Sequence, residues 1–322
     1  MLPRLTKVSL GRAGATPGTT RLTGTGATGP PSQRVYTVPV AQILSIQSNV
    51  TFGFAGNSVA VFTLRRAGLD VWPVHTVEFS NNTSYGSWSG PVISPDQVAD
   101  VVQGVDDLGV LAEVDAVLSG YQGAPRMGWT ILRAVEVTRA RNPRAIYCCD
   151  PVMGDVDRGF YAAPGIPEFM REHVVPQATI MTPNLFELDY LTERTSSTIA
   201  EVLDAAAALR SRGPRVVLVT SAVGLDADND VMRMIAQDAS QTWQVTTPLI
   251  DRKFTGSGDL TSAIFLANLL ETGDLGASLS MTASTVYSVL LRTHELGRRE
   301  LALVQAQDDI VKPRYRFDAI QL

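Results

Sequence analysis

From about residue 40 onward, short apolar runs alternate with longer stretches whose apolar positions recur at helical spacing. The runs at 42–47 (QILSIQ), 70–75, 115–119 (DAVLS), 145–149 (AIYCC) and 215–220 (RVVLVT) predict strands. The last is nearly continuous in apolar character, as a strand covered on both faces must be. Helical spacing at 58–67 ends at Gly68, and further helices are expected from Ser94-Pro95-Asp96-Gln97, up to about Arg141, and around Glu187. Thr198-Ile199-Ala200-Glu201 reads as a capping box for a helix that stops by Gly213-Pro214. Stretches 231–237 and 242–247 predict an antiparallel pair, and 259–271 and 277–297 two long helices.

Strands alternating with helices predict an α/β fold, a doubly wound, mostly parallel central sheet flanked by helices. Ligands of such sheets bind beyond the C-terminal strand ends. The residues expected there are Ser48, Tyr121, Asp150, Thr182 and Thr220, polar where the preceding runs are apolar. The polar loop at 79–86 (FSNNTSYG) is dense in hydrogen-bonding side chains. The first loop, GFAGNS at 53–58, lacks the G-x-G-x-x-G spacing of a dinucleotide site.

The stretch FTGSGDLTSA at 254–263 carries the strongest chemical suggestion. Gly256 and Gly258 flank Ser257, so the backbone can approach an anion with its N–H groups free. Asp259 then opens an apolar run, and a helix start there would hold a phosphate. The carboxylate could also take the proton from an attacking alcohol, which is phosphoryl-transfer chemistry. Taken alone, the stretch is better read as an ordinary Gly-rich turn with Asp259 as N-cap, and only the rest of the chain tips the balance. Asp150, Asp155 and Glu187 supply hard oxygen donors suited to Mg²⁺ beside nucleotide phosphates, although Asp-Pro and Gly-Asp are also common turn pairs. Thr220-Ser221 either bonds a nucleotide phosphate or ends a strand. Tyr121 either stacks on a flat ring or belongs to the core.

Composition narrows the class. The chain has 322 residues, 45% hydrophobic and 18% charged, with a net charge of −5. Residues 1–40 hold four Arg, one Lys and no acid, leaving −10 for the remainder. An acidic body argues against a nucleic-acid partner. No apolar stretch approaches membrane-spanning length, so no membrane association is expected. Cys148 and Cys149 are adjacent, and on a strand they point to opposite faces; a reducing, cytoplasmic setting fits. Residues 1–38, rich in Gly, Thr, Pro and Arg, are expected to be a disordered tail outside a single domain at 39–322.

Seven segments in order resemble the pyridoxal kinase family of the ribokinase-like superfamily. They are Gln47-Ser48, Gly56-Asn57-Ser58, the VEFSNNT of 77–83, Ser119-Gly120-Tyr121, the DPVMGD of 150–155, Thr182-Pro183-Asn184 and Gly256-Ser257-Gly258-Asp259. The resemblance runs from about Ala41 to the C-terminus. It implies ATP-dependent phosphorylation of the 5′-hydroxymethyl group of pyridoxal, with Asp259 as base and Gly256, Ser257 and Gly258 as anion hole. It implies that Ser48, Thr83 and Tyr121 hold the pyridine ring. Asp150, Asp155, Thr182 and Glu187 would lie around Mg²⁺, a monovalent cation such as K⁺ and the ATP phosphates. Thr220, Ser221 and the stretch Thr247, Pro248, Leu249 and Ile250 would contact the nucleotide, and the enzyme would be a homodimer. Asn49, Glu78 and Asn82 depart from the family's usual His, Gln and His, and Ser257 stands where Thr is common. A kinase of hydroxymethylpyrimidine or another small alcohol is the related alternative, and a non-catalytic pyridoxal or nucleotide binder the alternative of another class.

Overall fold

The structure, a computed structural model, describes residues 40–322. The expected tail therefore lies outside the described residues. In chain order the strands are β1 (Gln42–Phe52), β2 (Asp70–Asn81), β3 (Val114–Ser119), β4 (Ile146–Cys149), β5 (Gly154–Asp155), β6 (Gly159–Phe160), β7 (Ile180–Met181), β8 (Val216–Ala222), β9 (Val231–Gln237), β10 (Thr242–Pro248) and β11 (Ile320–Gln321). The helices are α1 (Asn57–Arg66), α2 (Pro95–Asp107), α3 (Met127–Arg141), α4 (Ile166–Phe169), α5 (Leu185–Thr192), α6 (Ile199–Arg210), α7 (Ser257–Thr272) and α8 (Leu275–Glu295).

One sheet runs β11-β10-β9-β8-β7-β4-β3-β1-β2, and β5 and β6 form a separate small ribbon. The pairs from β2 across to β8 are parallel, whereas β8–β9, β9–β10 and β10–β11 are antiparallel. Helices cover both faces because the strands are apolar on both. Ile43 and Cys148 pack with α1, α7 and α8, while Leu44, Ile46 and Cys149 pack with helices from α2 to α6. The two cysteines do face opposite sides, and both are free and buried.

Local signals hold where chain neighbours decide the structure. Ser94 accepts from the N–H of Gln97 and Thr198 from that of Glu201, and both capping boxes close. They fail at the sheet edge. β1 was expected to end at Gln47, yet it continues to Phe52 through a register shift between Gln47 and Asn49. Ser48 therefore lies inside a bulged strand, not after one. The cause is distant: buried Asn57 donates to the carbonyls of Ser45, Gln47 and Val74, holding β1 and β2 together through the polar stretch. β2 likewise continues past His75 to Asn81, so the polar loop is partly strand. Its outer edge is covered by a returning segment, with Glu78 donating to the Pro91 carbonyl and Ser80 to that of Ser89.

Candidate active site

The glycine-rich stretch forms a turn that enters α7 with Gly256 as N-cap, at φ 87°. Asp259 is accordingly the third helical residue and not the cap. Its Oδ2 accepts the N–H of Gly56 at 2.8 Å, a contact between the first and last helix–strand loops of the site. Ser257 donates its hydroxyl to the Phe254 carbonyl at 2.8 Å, which closes the turn on itself. Gly256 packs on the Phe54 carbonyl of that first loop, where a side chain would collide with it. The N–H groups of Gly256, Gly258 and Asp259 have no acceptor among the described residues. Those donors and the positive end of a 16-residue helix make a place for an oxyanion. Burial raises the Asp259 carboxyl to about 6, against the lowering pull of the Gly56 N–H.

Beside this turn stands Asp150, just past β4 and only 5% exposed. Its Oδ2 accepts from Ser262 at 3.0 Å, and Ser262 shares a 2.7 Å hydrogen bond with Thr182 beyond β7. Burial pushes the Asp150 carboxyl well up, and the charges of Glu187 and Asp259 push it further. No Lys, Arg or His forms an ion pair with Asp150 among the described residues. Thr220 donates its N–H to the Pro183 carbonyl at 2.9 Å, which places it next to Thr182.

The other carboxylates are already engaged. Glu187 is the third residue of α5, where Oε2 accepts the Asn184 N–H at 3.0 Å and Oε1 the Met153 N–H at 2.9 Å. Burial raises its carboxyl although these backbone donors oppose the rise. Asp155 accepts from the N–H groups of Asp157 and Arg158 and pairs with the Arg158 guanidinium at 2.7 Å. Burial acts upward on it, but the hydrogen bonds and charge of Arg158 leave it below the usual value. Asp150, Asp155 and Glu187 are thus not drawn into one cluster. Among the described residues no group of three His, Cys, Asp or Glu is placed to hold a metal ion.

The residues expected against a ring lie in β1 or just beyond β2 and β3. Gly56 packs so tightly on Ser48 that a side chain there would meet its carbonyl and hydroxyl. Tyr121 is partly buried against Val50, Val77 and Phe79. Thr83 is exposed in a short 3₁₀ turn, Thr83–Tyr85, capped by Asn82. The neighbouring Ser84 hydroxyl receives a 3.3 Å hydrogen bond from Thr255, so the turn touches the glycine-rich stretch. Ser221 is exposed on β8, and Thr247 and Pro248 end β10, with Leu249 and Ile250 beyond and Leu249 donating to the Asp230 carbonyl. No hydrogen bond joins that group to the turn of α7.

Two of the departures from the family pattern meet each other. Asn49 donates to Glu78 at 2.9 Å, and Glu78 pairs with His75. Asn49 and His75 line a cavity of about 580 Å³ together with Phe62, Arg65 and Arg66, and none of Ser48, Thr83, Tyr121 or Asp259 lines it. Those substitutions therefore bear on the β2 edge. Three groups in the site escaped the sequence reading: the Gly56 N–H, Ser262 and Thr255. Ser262 was within reach, because a position three residues after Asp259 shares its helix face.

Known proteins place this arrangement. A family model described as phosphomethylpyrimidine kinase matches residues 126–303. Pyridoxal kinase PdxY of Rubrobacter xylanophilus is 49% identical over 276 residues, covering 85% of this chain and 95% of the relative. The protein of the same name from Leifsonia xyli subsp. xyli is 47% identical over 276 residues, covering 86% and 98%. Among solved structures, pyridoxal kinase from Leishmania donovani in complex with ADP and pyridoxamine superposes with a TM-score of 0.81 at 25% identity, over 87% of this chain and 99% of that one. With the glycine-rich turn, the strand-end acids and this coverage in agreement, the chain belongs to the pyridoxal kinase family.

Proposed function

We propose that the protein phosphorylates the 5′-hydroxymethyl group of pyridoxal with ATP, yielding pyridoxal 5′-phosphate for cofactor salvage, within a single domain at 39–322. The observation that carries the reading is Asp259: a carboxylate held by the Gly56 N–H, at the start of a helix with free backbone donors. A base near pH 6 can accept an alcohol proton while the donors of Gly256, Gly258 and Asp259 balance charge on the transferred group. A non-catalytic binder has no use for such a base.

The donor chemistry supports a hard cation at Asp150, a buried acid without a cationic partner, with the Thr182 hydroxyl joined to it through Ser262. Mg²⁺ there, with a monovalent cation such as K⁺ nearby, would neutralise the phosphates during transfer. Glu187 then shapes the loop through the Met153 N–H and sets the local charge. Asp155 would join only on release of Arg158. Thr220, Ser221 and the 247–250 stretch are proposed to contact the nucleotide on the far side of the turn. Family membership supports a homodimer and a cytoplasmic setting. No helix of the described residues is long and apolar enough to cross a membrane.

The testing experiment is a coupled ATP-consumption assay across pyridoxal, pyridoxine, pyridoxamine and hydroxymethylpyrimidine. Preference for hydroxymethylpyrimidine would replace the pyridoxal reading with the pyrimidine-kinase one.

The ring-binding role of Tyr121 has its own test. A stacked contact contributes about 0.5–1.5 kcal/mol beyond buried area, so Tyr121→Ala should raise the pyridoxal KM about tenfold. The KM for ATP should stay within about twofold, and Tyr121→Phe, which keeps the ring, should resemble the parent. Unchanged pyridoxal kinetics in the alanine variant would assign Tyr121 to the core formed with Val50, Val77 and Phe79.

A further inference from the structure

Glu300 is only 7% exposed, and no Lys, Arg or His pairs with it among the described residues. Its carboxylate instead gathers three donors from two distant loops. Oε2 accepts the Phe54 N–H at 2.9 Å, while Oε1 accepts Asn82 Nδ2 at 3.1 Å and the Tyr85 hydroxyl at 2.8 Å. Gly53 lets the carboxylate come this close, since its φ of +86° favours glycine and any side chain would collide with Glu300. The residues after Glu300 anchor it: Leu301, Ala302 and Leu303 are fully buried, and Ala302 donates to Thr293 of α8 at 2.9 Å. Arg299 completes the latch, stacked 3.6 Å over the Tyr85 ring and donating to the Ser84 carbonyl.

The two loops are those that bear the proposed chemistry. Phe54 is gripped by Glu300 at its N–H, and its carbonyl packs against Gly256 of the anion-binding turn so closely that a side chain there would collide with it. Two residues on, Gly56 holds Asp259. The other loop carries Thr83 and touches Thr255 through Ser84. We propose that Glu300 is a positioning residue, one carboxylate that fixes the substrate loop at Thr83 in register with the turn and base that act on the alcohol. An amide could not serve both sides, because it has only one acceptor atom and three donors must be met. This inference rests on the functional reading above.

Glu300→Gln keeps the shape but sets an NH₂ group against either the Phe54 N–H or the Asn82 amide, whichever way the new amide turns. With pyridoxal, kcat should fall at least about tenfold and KM should rise, because small misplacements of reacting groups are costly. The KM for ATP should remain within about twofold. Tyr85→Phe removes one donor at the partly exposed rim and should raise the pyridoxal KM about threefold with kcat unchanged. Equilibrium pyridoxal titration of the nucleotide-free variants should show weaker binding in the same order. A group that merely stabilises the fold would lower Tm and leave the constants of the folded enzyme as in the parent. Parent-like constants in Glu300→Gln, or a parent-like pyridoxal KM in Tyr85→Phe, overturn the proposal. A parent enzyme that phosphorylates a different alcohol refutes only the pyridoxal reading. The same two variants then decide on Glu300 with that alcohol.

Discussion

Asp259→Asn is expected to lower kcat for pyridoxal by roughly 10²–10⁴-fold while leaving the fold and nucleotide binding in place. The substitution keeps an oxygen able to accept the Gly56 N–H, so the 2.8 Å contact and the entry of α7 survive. What disappears is the acceptor for the alcohol proton. The parent should carry a second signature of the same group. Because burial holds the Asp259 carboxyl at about 6, it is increasingly protonated below that pH and loses its capacity as a base. The acid limb of kcat/KM should therefore fall about tenfold per pH unit below 6, and Asp259→Asn should abolish that limb along with most of the rate. A variant turning over within a few-fold of the parent would remove Asp259 from the chemistry.

The reach of the sequence can be judged residue by residue. The parallel sheet, the opposite orientation of Cys148 and Cys149, and the caps at Ser94 and Thr198 were legible, because alternation and capping are decided by near neighbours. Glu187 shows a signal that was present and read differently. Asn184-x-x-Glu187 has the capping-box spacing, and the structure closes that box while Glu187 also holds the Met153 N–H. The bulge at Ser48 was not legible, since Gln47-Ser48-Asn49 is polar in the manner of a strand end. Its continuation depends on Asn57 reaching back to three carbonyls. Glu300 lay beyond any local reading, because its partners are more than 200 residues away in the chain. Chemistry concentrated in one turn could be read from that turn. Chemistry assembled from remote backbone groups could not.

Asp150→Asn should have opposite effects on stability and turnover. Asp150, Glu187 and Asp259 all have carboxyls raised by burial, so each is held in the folded state with its charged form disfavoured. The sign follows from linkage. A group with a raised folded pKa stabilises fully below its unfolded value, and that contribution is lost as pH rises through the folded value. For Asp259 this places the loss near pH 6. The nucleotide-free protein should thus gain Tm as pH falls from about 7.5 to 5.5. Carboxyls held low elsewhere, such as Asp106 beside Arg141 and Glu201 in its capping box, oppose this only nearer the ordinary carboxylate range of about 4. Replacing Asp150 by asparagine removes one buried charge from the repelling group and keeps an oxygen for the Ser262 hydroxyl. Tm at pH 7.5 should rise, by about 2–4 °C for each kcal/mol gained, and the upward trend on acidification should flatten. Turnover with Mg·ATP should meanwhile fall, and its magnesium dependence should shift to higher concentration, because the same charge is the proposed cation ligand. Stability would then have been surrendered at this position for function. Differential scanning fluorimetry across pH and a magnesium titration of turnover read the two effects separately. A variant with lower Tm and an unaltered magnesium dependence would show that Asp150 is a structural acid satisfied by Ser262.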